Sequence, residues 1–224
     1  MDLRQLVGIT ASRTTSHSSR SLHRLSHLDY MTVTRSDSTF RRQQLIDLTI
    51  DLISEYGYAY TSLQRIADAA SISKATVLYH FANKSEIIQA AYESVLTTLT
   101  GSVRVAVEAA ETPAAAVEAY LTSMLGYIAT NPAHARLMIR SMEAADSGVD
   151  GVQSTPARWA PLAELIAQAQ TTGQYASTID PRAHAVALGG AIDALINESH
   201  IDPTFALEKS TATLLALARS AMNA

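Results

Sequence analysis

The sequence predicts an all-α chain of about nine helices. Alanine and leucine are abundant while alternating β-branched runs are scarce, a balance that favours helix over strand. From residue 41 onward apolar residues recur at three and four positions, the spacing of one helix face. Breakers fall between those runs, at Gly57, Pro113, Pro132 and Gly173.

Composition narrows the functional classes. At 224 residues and 47% hydrophobic the chain can build one large core or two small ones. It has no cysteine, so no disulfide holds it, which fits a reducing, cytoplasmic setting. No apolar run approaches the roughly 18 residues a membrane helix needs. The formal net charge is −4, which taken alone argues against a nucleic-acid partner. Its distribution argues otherwise: residues 1–90 carry +2 and residues 91–224 carry −6.

Residues 1–36 are rich in Ser, Thr, Arg and His and lack the apolar stretch of a secretory signal. A disordered extension is expected here. A transit-like segment, a true start at Met31, and a basic arm reaching a neighbouring groove stay open. His23 and His27 lie four apart, but without further ligands they make no metal site. The first core helix opens at Arg41 and Arg42, turns Leu45, Leu48, Thr49, Leu52 and Ile53 inward, and is expected to stop at Gly57.

Between Thr61 and Lys84 the chain reads TSLQRIADAASISKATVLYHFANK. Thr61 and Ser62 can accept from the free N–H groups of an opening turn, and Leu63, Ile66, Ala67 and Ala70 form its buried face, leaving Gln64 and Arg65 outside. A break at Ser71 follows, and Ser73 caps a second short helix that Val77 and Phe81 anchor. Its outward residues are Lys74, Ala75, Thr76, Leu78, Tyr79 and His80, a surface suited to a major groove: Lys74 for phosphate, Thr76 and His80 for base edges or phosphate, Ala75 for close approach. Asn83 or Ser85 caps the next helix, whose N-terminus and Lys84 are expected to form an anion site. The DNA-facing set is therefore Arg41, Arg42, Thr61, Ser62, Gln64, Lys74, Ala75, Thr76, Leu78, Tyr79, His80 and Lys84.

This segment resembles the DNA-binding domain of the tetracycline-repressor (TetR) family, whose recognition stretch commonly reads S-K-x-T-(L/V)-Y-x-H-F-x-x-K. Ser73, Lys74, Thr76, Val77, His80, Phe81 and Lys84 match it. Two positions depart. Ser71 stands where the family usually has Gly, so a positive φ there would be resisted. Leu78 stands where a tyrosine often reaches phosphate, with Tyr79 beside it as a partial replacement. The match extends over about residues 39–92. The resemblance implies a helix-turn-helix domain at 37–84 and a helical effector-binding and dimerisation domain at 85–224.

Beyond the reader, helices are expected at about 84–110, 113–130, 133–145, 157–171, 181–199 and 204–222, with a loop between Asp146 and Pro156. Tyr120, Met124, Tyr127, His134, Met138, Met142 and Trp159 are candidates to line a pocket for an unidentified small-molecule effector, with His134 and Arg136 able to meet an anionic or hydroxylated group. Ala183, Ala187, Gly190, Ala191 and Ala194 permit close approach of another backbone, and Phe205, Leu207, Leu214, Leu215, Leu217, Ala218 and Met222 add apolar surface. A homodimer through 181–199 and 204–222 is therefore expected. It would read a roughly palindromic operator on double-stranded DNA, its recognition helices about 34 Å apart. No catalytic, metal or cofactor motif is present: no cysteine nucleophile, G-x-S-x-G, phosphate loop or H-E-x-x-H. The expected function is an effector-released transcriptional repressor. The alternative is a TetR-like helical protein that does not bind DNA and acts through ligand or protein partners.

Overall fold

A computed structural model describes residues 25–143, 158–202 and 204–222, with side chains described from Asp37 and omitted for 140–143. The loop expected at 146–156 and residues 1–24 lie outside the described residues. Among those described, nine helices and no strand occur: α1 (Leu25–Tyr60), α2 (Leu63–Ala69), α3 (Lys74–His80), α4 (Lys84–Glu108), α5 (Pro113–Thr130), α6 (Pro132–Glu143), α7 (Ala160–Thr171), α8 (Pro181–Ile201) and α9 (Leu207–Met222). The chain divides into two compact units, residues 1–40 and 41–224.

In the first unit α1 begins at Leu25, inside the stretch expected to be disordered. Residues 25–36 contain neither glycine nor proline, so nothing in the local chemistry stops the helix there. In the second unit Gly57 does break the helical path, with φ 80° and ψ 173°. One more turn then runs to Tyr60.

The short helices form because their ends are capped. Ser62 Oγ accepts from the Arg65 N–H, Ser73 Oγ from the Thr76 N–H and Asn83 Oδ1 from the Glu86 N–H. The Glu86 carboxylate reaches back to the Ala82 N–H at 2.6 Å, closing a reciprocal arrangement close to a capping box. Thr112 and Asp180 cap α5 and α8, each followed by proline in the first turn, where a missing N–H costs nothing.

The α2–α3 turn carries the strain that its sequence foretells. Ser71 has φ 55°, and the Ile72 N–H reaches back to the Ala67 carbonyl at 3.0 Å, a helix-ending bond that requires a left-handed residue between. A Cβ in that region costs about 1–2 kcal/mol. Replacing Ser71 with Gly should therefore stabilise the protein by about 0.5–1 kcal/mol, part of the relief being offset by the freer unfolded chain. An unchanged or lower midpoint in urea unfolding would show that the turn is not strained.

Two apolar cores follow. One joins Leu45, Ile46, Ile50, Ile53, Ile66, Val77, Phe81, Ile87, Ile88, Ala91 and Val95. The other runs from Leu99 and Val103 through α5, α7, α8 and α9 to Met222. They divide within α4, between Val95 and Leu99, beyond the 84/85 boundary expected from the sequence, so the first half of α4 packs with the reader. Leu137 of α6, fully buried, also belongs to the reader's core.

Candidate nucleic-acid interface and effector cavity

Helix α3 is held from behind by Val77 and Phe81, 0% and 1% exposed. Period 3.6 then dictates which residues face out. Lys74, Ala75, Leu78 and Tyr79 are exposed, while Thr76 and His80 are half-buried. Tyr79 is 80% exposed and Leu78 43%, so of these two neighbours the tyrosine stands the more open to solvent. Its ring lies edge-on to that of His80 at 5.1 Å. Thr76 Oγ1 and Ser73 Oγ share a hydrogen bond of 2.8 Å, which pins the hydroxyl at the start of the helix.

Cations from α1 flank the C-terminal end of α3. Arg42 lies over the Phe81 ring at 4.5 Å, and Arg41 donates to Gln44 Oε1 at 2.7 Å. Burial first, then the charges of Arg41 and Arg42, hold the His80 imidazole below its ordinary range, which favours its neutral form, able both to donate and to accept. Gln64 is exposed and bonds Asp68 at 2.8 Å. Arg65 is exposed beneath the Tyr60 ring at 5.8 Å. Arg65 and Tyr60 were not among the expected contacts, although the position of Arg65 off the buried face of α2 was the signal for it.

Three expected contacts have other tasks. Thr61 is 1% exposed, and its hydroxyl donates to the Gly57 carbonyl at 2.9 Å, the same oxygen that accepts the Thr61 backbone N–H at 3.2 Å. Ser62 is half-buried and occupied as the α2 cap. Lys84 donates to the Tyr58 carbonyl at 2.5 Å, and burial lowers its pKa. Its ammonium braces the end of α1 against α4 instead of serving as a free anion site.

The body contains a cavity of about 470 Å³ between α4, α5, α6 and α8. Four of the expected effector residues line it: Tyr120, Met124, Met138 and Trp159. Tyr127 and His134 do not; the tyrosine hydroxyl and His134 Nδ1 share a 2.6 Å hydrogen bond. Burial lowers the His134 pKa against the opposing pull of Asp51 and Asp47. Arg136, expected to meet an anionic group, instead donates to Ser54 Oγ at 2.7 Å and ties α6 to α1. The side chain of Met142 lies outside the described residues. Polar lining missed at the sequence level comprises Thr100, Arg158, Asp193 and Asn197, residues distant in sequence that only packing brings together. Trp159 closes one side of the cavity by lying on Gly189, where a Cβ would come 2.1 Å from its ring.

Two short capped helices, α2 and α3, carried on a helical body, with Lys74 and Tyr79 exposed on α3, have the arrangement of a helix-turn-helix domain. Residues 45–91 match the family described as bacterial regulatory proteins, tetR family. It is 28% identical over 99 residues to the nucleoid occlusion factor SlmA of Actinobacillus pleuropneumoniae serotype 5b (strain L20), covering 44% of this chain and 49% of that one. It is 40% identical over 77 residues to the HTH-type nicotine-responsive transcriptional repressor HdnoR of Paenarthrobacter nicotinovorans, covering 34% and 40%. The matched stretches span about half or less of these relatives. The fold is similar to that of the transcriptional regulator FadR from Bacillus subtilis in complex with stearoyl-CoA, with TM-score 0.69, 17% identity, and coverage of 80% of this chain and 98% of that one. Among the described residues no helix is long and apolar enough to cross a membrane.

Proposed function

We propose that this protein is a sequence-specific DNA-binding transcriptional repressor, released from its operator by a small molecule held in the body cavity. The carrying observation is the outward face of α3, where Lys74 and Tyr79 stand uncovered on a helix anchored by Val77 and Phe81. HdnoR, described as a nicotine-responsive repressor, and FadR, solved with stearoyl-CoA, support regulation by a ligand. DNA as target implies a cytoplasmic protein.

Helix α6 supplies the coupling. Its Leu137 is packed in the core of the reader, while the next residues, Met138 and Ile139, line the cavity. A ligand pressing on Met138 and Ile139 therefore acts on a helix whose adjacent residue is fixed in the core of the reader. It shifts the population by the difference in its affinity for the two reader arrangements.

Dimerisation through α8 and α9 completes the reading. Ala183, Ala187, Gly190, Ala194 and Ile201 form an exposed stripe along α8, with Val186 and Ile201 54% and 67% exposed. On α9 most of the expected apolar residues are spent inside the chain: Leu207, Leu214, Ala218 and Met222 are buried, and Leu217 is 60% exposed. The stripe is smooth enough for a second copy to approach closely. A Cβ at Gly190 would meet nothing within 4 Å, so Gly190→Glu should leave the single chain intact. Across a two-fold axis it sets like charges face to face. We expect sedimentation to show the variant as a monomer, and a persistent dimer would remove α8 from the interface.

The test of function is selection of bound sequences from random duplexes with the full chain, followed by Lys74→Ala. The selected site should be roughly palindromic. The variant should bind it more weakly while the slope of log affinity against log salt falls by about 1. No enriched site would overturn the reading in favour of a helical protein acting through other partners.

A further inference from the structure

We infer that the body cavity selects a small amphipathic carboxylic acid, its carboxylate gripped by Arg158 and its hydrocarbon part lying against Trp159, Tyr120, Met124 and Met138. The inference rests on the reading of this cavity as the effector site. A volume of about 470 Å³ falls in the ordinary range for small-molecule sites, roughly 300–1,000 Å³, and most of the wall is apolar. Among the described residues only two charged side chains line it, Arg158 and Asp193.

The pair is unevenly matched. Arg158 Nη2 meets Asp193 Oδ1 at 2.7 Å, a single contact from a group that carries five donors in a planar fork. Among the described residues no other hydrogen bond engages that guanidinium. Its position is set by the Trp159 ring, 4.6 Å away, so the positive charge is fixed at the edge of the apolar wall. Its field also reaches Tyr120 and Tyr92, where it opposes the effect of burial on both phenols. A ligand carboxylate can take the unused edge of the fork in bidentate fashion, with the Thr100 hydroxyl and the Asn197 amide as neutral neighbours.

Charge accounting favours an anion over a cation. A ligand ammonium would have to pair with Asp193 beside a guanidinium that cannot give up its charge. An incoming carboxylate meets a softer obstacle. Burial pushes the Asp193 carboxyl above its ordinary range in spite of Arg158, so its negative charge is held less firmly than the positive charge of the guanidinium.

Trp159 is the sole tryptophan of the chain and lines the cavity, so its fluorescence reports occupancy directly. Octanoate, 1-octanol and octylammonium share one hydrocarbon chain and differ in head charge. In titrations of the full protein at neutral pH, octanoate should bind at least tenfold more tightly than the other two. Arg158→Gln should erase that preference while leaving octanol affinity within about twofold, and Arg158→Lys should restore part of it. Asp193→Asn should tighten octanoate, an effect of opposite sign that a folding defect would not produce. Equal affinities, a preference for octylammonium, or a preference that survives Arg158→Gln overturns the inference. If all three chains release operator DNA equally, the cavity remains the effector site and the carboxylate selection falls. If none perturbs Trp159 and none releases DNA, both readings fall.

Discussion

Replacing Tyr79 with Ala is expected to lower operator affinity about ten- to hundredfold while leaving the fold unchanged. The two halves of this expectation have separate physical origins. The side chain is 80% exposed, so its removal deletes little packing, and substitutions at such positions usually change stability by no more than about 0.5 kcal/mol. On the duplex the same exposure leaves its phenolic hydroxyl able to donate to phosphate and its ring able to cover a base edge. Loss of a direct contact of this kind costs about 1–3 kcal/mol. Fluorescence anisotropy with the selected operator, alongside thermal unfolding, checks both halves. Full affinity in the variant would mean that α3 enters the groove in another orientation, led by Lys74 and Ala75.

Leu137→Ala should produce the opposite pattern, a large loss of stability together with weakened ligand response. Leu137 is fully buried, and truncating such a leucine costs about 2–5 kcal/mol through lost transfer energy and the cavity left behind. For a protein of this size that lowers the melting temperature by roughly 5–15 °C. The site lies in the reader's core although α6 is a body helix, so the same gap loosens the grip through which the cavity wall acts. Operator release by a ligand should then need a higher concentration, with a coupling loss of about 0.5–2 kcal/mol. A destabilised variant whose release curve superimposes on that of the parent would place the coupling elsewhere, for example at the Arg136–Ser54 hydrogen bond.

The recognition helix was legible because its determinants are local. Ser73, Val77 and Phe81 sit within nine residues, and capping together with 3.6-residue periodicity decides which neighbours face outward. Thr61 and Lys84 misled for a common reason. A hydroxyl at a helix start and a lysine at a helix N-terminus read as free groups until the chain supplies partners, and here both partners are carbonyls of the last turns of α1. The change of path at Gly57 that shapes this corner depends on φ, which residue type only permits. The cavity was half legible. Aromatic and methionine residues on α5 and α6 pointed to it, but Arg158, Asp193 and Asn197 enter from elements far along the chain.

Sequence alone determined the helical class, the order of the helices, the capped reader and its outward face, since each depends on contacts within a few residues. Only the tertiary structure decided that Leu137 belongs to the reader's core, that the two cores part within α4, that α9 spends most of its apolar face inside its own chain, and that Arg158 pairs with Asp193 in the cavity wall. Those outcomes depend on long-range packing, in which many helix placements satisfy the same local periodicity and close-packed side-chain shape selects among them.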